Sequence, residues 1–134
     1  MRGRLHIALL LIGVMACGAD QAGPVTVTLM THDSFADAVT EETFAAFTAR
    51  SGHQVEVLAA GDAGAMVNQA VLTRANPLAD AIFGIDDTFL TRAVEADILE
   101  GYTSSLLDRV PVGLQLAEGL ATPIDYGDVC VNYD

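Results

Sequence analysis

This chain reads as an α/β protein with a mainly parallel sheet flanked by helices, on three observations. Short β-branched and apolar runs alternate with segments of helical periodicity in the order β-α-β-α-β-α. The third run, ADAIFGI, is almost wholly apolar, as suits a parallel strand covered on both faces. Polar residues of the kind that open helices follow each run.

The first segment stands apart from that alternation. MRGRLHIALLLIGVMACGAD carries Arg2 and Arg4, then an apolar run over residues 5–15, then small residues and Cys17. This is the layout of a secretory signal, and it is too short for a typical transmembrane helix. Val14-Met15-Ala16-Cys17 resembles a bacterial lipobox, in which the cysteine is lipidated and becomes the new N-terminus. Cleavage of a plain signal peptide further on is the alternative. The expected division is therefore a signal over 1–16, a polar tether over 17–24 and one folded unit over 25–134.

Within that unit VTVTLMTHDSF begins as a strand, with Val25, Val27 and Leu29 on one side. Thr40 is the expected N-cap of a helix with Glu41 and Glu42 in its first turn, Phe44 and Phe47 at i, i+3, and Gly52 as its stop. HQVEVLAAG is the second strand. Asp62 then caps a helix whose Met66, Val67, Ala70 and Val71 share a face and which ends near Asn76-Pro77. After ADAIFGI, Asp86 or Asp87 caps a helix that buries Phe89, Leu90, Ala93 and Val94, with Gly101 near its end. A loop with Pro111 and Gly113 leads to a last strand, where Val129, Val131 and Tyr133 alternate with Cys130 and Asn132. Cys130 is expected there as a small core residue.

Net charge is −12, and without residues 1–16 it is −14, from four arginines against 18 acidic residues. So acidic a surface argues against nucleic acid, which demands clustered cations, and modestly favours a cationic ligand. Most of the carboxylates serve solubility. Two cysteines make no disulfide framework.

Ligands of open parallel sheets bind beyond the carboxyl ends of the strands, near helix N-termini. His32-Asp33-Ser34, Asp62-Ala63-Gly64 and Asp86-Asp87 all fall at such ends, and Asp125-Tyr126-Gly127 lies beside them. A carboxylate neutralises a cation and a tyrosine face attracts it, so the rim suits a cation with a planar body. Each aspartate also has a purely structural reading, as a helix cap or, for Asp125, as a turn bond. No catalytic set accompanies the rim: the chain has no P-loop, HExxH, GxSxG or CxxC. His32 with Asp33 would be a general-base pair with only Ser34 as nucleophile, and in an extended segment neighbours point to opposite faces. Asp86-Asp87 could hold Mg²⁺, but without a phosphate cradle. No enzyme, cofactor or resident metal is expected.

VTLMTHDSF, GDAGAMVNQA, ADAIFGIDDTFL and TPIDYGDVCVNYD together resemble the first lobe of the periplasmic thiamine-binding proteins, the substrate-binding components of ABC importers. Where that family has Tyr-Asp-Ser-Phe, this chain has His32-Asp33-Ser34-Phe35. Asp62-Ala63 stands for an Asp-Gly that opens a helix, Gly84-Ile85-Asp86-Asp87 for Gly-Leu-Asp-Asn, and Pro123-Ile124-Asp125-Tyr126-Gly127 keeps the family's Pro-x-Asp-Tyr-Gly. The resemblance spans about residues 25–134. It implies a lobe of the type II periplasmic-binding-protein fold, with thiamine or a related small cation held by Asp62, Ala63, His32, Asp33, Ser34, Asp86, Asp125 and Tyr126. It also implies a membrane permease as partner and an extracytoplasmic location, anchored through Cys17. Family members continue into a second lobe, so a fragment is expected. His32 for tyrosine and Ala63 for glycine are departures that bear on ligand preference. The alternatives are a binding protein for ferric iron or another small solute of the same superfamily, and an exported Mg²⁺-dependent hydrolase using Asp86-Asp87. Iron calls for hard oxygen ligands, usually with tyrosines, and Tyr126 is the tyrosine obviously placed for it.

If Cys17 is the lipid acceptor, Cys17→Ser moves the protein from the membrane fraction to the soluble fraction without unfolding it, as fractionation and circular dichroism would read.

Overall fold

The computed structural model describes residues 23–127; the expected signal, Cys17 and the strand expected over 129–133 lie outside the described residues. Three strands form one sheet: β1 (Thr26–Thr31), β2 (Gln54–Ala59) and β3 (Ala81–Phe83), in the order β2-β1-β3 and all parallel. The predicted α/β class is what the chain adopts. Thr31 pairs with Ala59 on one side and Phe83 on the other, so the three strands end level.

Four α-helices fill the connections: α1 (Asp33–Ala38), α2 (Ala45–Ser51), α3 (Ala63–Leu72) and α4 (Asp87–Glu95). Short 3-10 turns precede α2 and occupy much of 107–119. The chain moves from β1 to β2 in one direction and from β2 back past β1 to β3 in the other. Right-handed crossovers then place α1 and α2 on one face of the sheet and α3 on the other. The core lies under α3 and α4, where Met30, Met66, Val67 and Ala93 are fully buried. Burial of a Met or Val side chain of this kind contributes about 1.5–3 kcal/mol. Among the described residues no helix is long and apolar enough to cross a membrane.

Several local expectations hold. Gly52 stops α2 in the left-handed conformation, φ 75°, and donates its N–H to the Thr48 carbonyl at 2.8 Å. Thr40 opens the turn before α2, its N–H donating to Thr43 Oγ1 at 3.0 Å. Asp62 and Asp86 cap α3 and α4.

Others are corrected. The segment after β1 is not extended: α1 begins at Asp33, because the His32 ring caps it and spares its first N–H groups a bare end. α3 stops at Leu72, short of Pro77, since Thr73 Oγ1 turns back onto the Gln69 carbonyl at 2.9 Å and closes the last turn. α4 ends at Glu95 rather than near Gly101. Asp97 supplies the left-handed residue there, φ 54°, a conformation that short polar side chains tolerate. β3 is half-exposed rather than covered on both faces: Ala81 is exposed, Ile82 and Phe83 are half-buried, and among the described residues the strand forms an edge of the sheet. Val25 precedes the strand and is 49% exposed; the buried end of β1 is Met30 and Thr31.

Thr31 is fully buried and its Oγ1 has no hydrogen-bond partner among the described residues. A buried, unpaired hydroxyl is destabilising, and an apolar group of the same shape removes that penalty. Thr31→Val is therefore expected to stabilise the chain by about 1 kcal/mol, read as a higher urea midpoint at unchanged slope.

Candidate functional site

Strand order decides where a site can form. β1 leads off towards β2, while β3 lies on its other flank, so the crevice at the carboxyl ends of β1 and β3 is the switch point of the sheet. The residues leaving β1 there are His32 to Phe35, and those leaving β3 are Gly84 to Asp86. All of these but Asp33 wall a cleft of about 540 Å³, joined by Asp125 from the last described segment. It adjoins a wider groove of about 1370 Å³ along β3, which shares Phe35, Phe83, Asp86 and Asp125 with it and also reaches Asp87 and Tyr126.

Local bonds set each side chain. His32 Nδ1 accepts from the Phe35 N–H at 3.2 Å and lies 2.9 Å from Ser34 Oγ. The ring sits 6.3 Å from Phe35 and 6.4 Å from Phe83, which are themselves 4.4 Å apart. Its far edge rests on the Gly84 backbone, where a Cβ would fall on the ring and where φ is 99°. Glycine at 84 is thus required twice, for the backbone conformation and for the close approach. Asp86 Oδ1 accepts from the Phe89 N–H at 3.0 Å as the cap of α4. One bond leaves the rest of that exposed carboxylate available at the rim.

Asp33 faces elsewhere. Its N–H donates to the Gly61 carbonyl at 2.9 Å, and its Oδ1 accepts the Gly61 N–H at 2.9 Å. This two-way bond ties the start of α1 to the turn that delivers Asp62. Asp62 Oδ1 in turn accepts from the Ala65 N–H at 2.7 Å. Ala63 lies in the first turn of α3, beside Gly64, where a Cβ would come within 2.9 Å of Phe89 Cζ. That contact sets α3 against α4 and so fixes the spacing of the Asp62 and Asp86 caps.

Of the eight residues expected at the rim, His32, Ser34, Asp86 and Asp125 share the smaller cleft, and Tyr126, 82% exposed, stands on the adjoining groove. Asp33, Asp62 and Ala63 line neither; Asp62 and Ala63 sit where α3 begins after β2, and Asp33, at the start of α1, is bonded to Gly61 in that turn. Among the described residues no group of three or more His, Cys, Asp or Glu side chains is placed to hold a metal ion. Sequence reasoning overlooked Phe83 and Gly84. A glycine directly after an apolar strand was the available signal.

No protein-family model and no curated protein matches the chain. Among solved structures it is similar to a Trichodesmium protein, IdiA or FutA, in complex with iron and citrate ligands: 28% identity, TM-score 0.57, over 71% of this chain and 29% of that one. The chain thus spans under a third of the length of that neighbour. The fold is that of a periplasmic-binding-protein-like lobe.

The Asp33–Gly61 bond gives a test of role. Asp33→Asn keeps an acceptor for the Gly61 N–H and should leave stability nearly unchanged, whereas Asp33→Ala should lower it by about 1 kcal/mol, both read by chemical denaturation.

Proposed function

We propose that this chain is one wall of an extracytoplasmic solute-binding protein that serves an ABC-type importer, and that its solute carries ferric iron. The observation behind the proposal is the 28% identity, over 71% of the chain, to a protein solved in complex with iron and citrate. The acidic balance of the chain, −12, is in keeping with a cationic cargo. So is the chemistry of the rim: Asp86, Asp125 and Tyr126 are hard oxygen donors, the class ferric iron prefers. These side chains would form part of a coordination shell, with the remaining ligands coming from the solute or from a facing wall. Exported location, lipid attachment at Cys17 and a membrane permease as partner belong to the same proposal.

Thiamine is the second reading. It is favoured by the placement of Asp125, from the Pro123–Gly127 motif, beside His32 and Asp86 in one cleft. A carboxylate pair next to the aromatic cluster of Phe35 and Phe83 suits a planar cation as well.

Asp86→Asn separates charge from structure, because asparagine caps a helix as well as aspartate does. Stability should stay within a few tenths of a kcal/mol, while affinity for iron offered as ferric nitrilotriacetate should fall by about 1–3 kcal/mol. Competition titrations with thiamine decide between the readings: thiamine binding that exceeds iron binding, or no effect of Asp86→Asn on iron, would remove iron from first place.

A further inference from the structure

α3 opens Ala63-Gly64-Ala65-Met66, and the glycine runs against helix chemistry. Its backbone is not left-handed, and alanine is the better helix former at such a position. Space accounts for it. A Cβ at Gly64 would lie 2.9 Å from Phe89 Cζ and 3.3 Å from Phe89 Cε1, so the aromatic ring fills the place of a side chain.

Phe89 is tied to the rim at its other end. Its N–H donates to Asp86 Oδ1 at 3.0 Å, and the Asp86 carbonyl accepts from the Leu90 N–H at 2.9 Å. One residue thus touches α3 with its ring and holds the Asp86 carboxylate with its backbone. Neither Phe89 nor Gly64 lines the cleft or the groove. They stand behind the wall that Asp86 belongs to.

We infer that Gly64 and Phe89 are positioning residues for solute capture: the ring, seated on the bare Cα of Gly64, fixes the first turn of α4 and with it the Asp86 carboxylate. This rests on the proposed function in assigning Asp86 to the solute. With a Cβ at 64 the ring would have to give way by roughly 0.5 Å to reach ordinary van der Waals contact. A helix leaves an aromatic side chain few rotamers to retreat into, so part of that displacement passes to the backbone of α4. The N–H donated to Asp86 then moves, and hydrogen bonds weaken steeply with misalignment. A methyl group at 64 therefore acts on the solute without touching it.

Gly64→Ala, Phe89→Leu and the pair, each made in the full chain, test this. Leucine lacks the two ring atoms that a Cβ at 64 would strike and keeps the N–H that Asp86 accepts. With Phe89 in place, Gly64→Ala should weaken binding of ferric nitrilotriacetate about three- to tenfold, the scale of coupling between residues in contact. In the ligand-free chain it should also move the Asp86 carboxyl ¹³C resonance. With Leu at 89, Gly64→Ala should change neither. Equal losses in both backgrounds, or an Asp86 resonance that stays put, overturn the inference. So does a Gly64→Ala chain that is less stable in urea yet binds as before, since the contact is then packing alone. If Gly64→Ala does not fold, Phe89→Leu takes its place: it unseats the ring without a clash, and an unmoved Asp86 resonance overturns the inference. Absence of ferric nitrilotriacetate binding by the unsubstituted chain overturns the proposed function instead, while the ligand-free resonance still decides whether Gly64 positions Asp86.

Discussion

The middle position of β1 is the constraint from which the rest follows. It is hydrogen-bonded to β2 over its whole length and to β3 at its carboxyl end, so Thr31 has neighbours on both sides and is fully buried. Two aspartates extend these ladders with side chains. Asp33 exchanges two bonds with Gly61 beyond the end of β2, and Asp80 does the same with Thr28 at the start of β3, its Oδ2 accepting the Thr28 N–H at 2.8 Å. Each closes a backbone group that strand pairing leaves open. A rim built this way is level, with neighbouring strand ends tied to one another by side-chain bonds.

The acidic rim changes meaning once its bonds are counted. A cluster of aspartates at strand ends suggests cation binding, but Asp33, Asp62 and Asp86 each first satisfy backbone N–H groups. Capping carboxylates also sit favourably at the positive ends of their helices. Among the expected rim residues, carboxylate oxygen free of such bonds at the smaller cleft is thus that of Asp86 and Asp125, with Tyr126 on the adjoining groove. The aromatic component comes from Phe35 and Phe83, packed under the His32 ring. In the proposed function one set of residues would serve both architecture and recognition, and the division between the two roles would be made oxygen by oxygen.

Local signals carried much of the fold. Gly52, Asp62 and Asp86 were legible because caps are decided by a residue and its next few neighbours. α1 was not legible, since histidine is an unusual cap and Asp33 to Ala38 has no apolar stripe long enough to betray a helix. The ends of α3 and α4 were misplaced for a related reason: proline and glycine mark where a helix cannot continue, whereas Thr73 and Asp97 ended these helices earlier through side-chain and backbone conformations that many sequences share.

By itself the sequence determined the α/β class, the alternation of β1, β2 and β3 with α2, α3 and α4, and the set of polar residues at strand ends, because each is written in short-range periodicity and capping chemistry. Which of those ends come together was decided by tertiary structure alone. The order β2-β1-β3 brings His32 beside Gly84 and Asp86, more than 50 residues apart in the chain, and leaves Asp62 at the outer turn. No local pattern encodes that order, since it depends on which side of β1 each later strand finds its hydrogen bonds and its buried face.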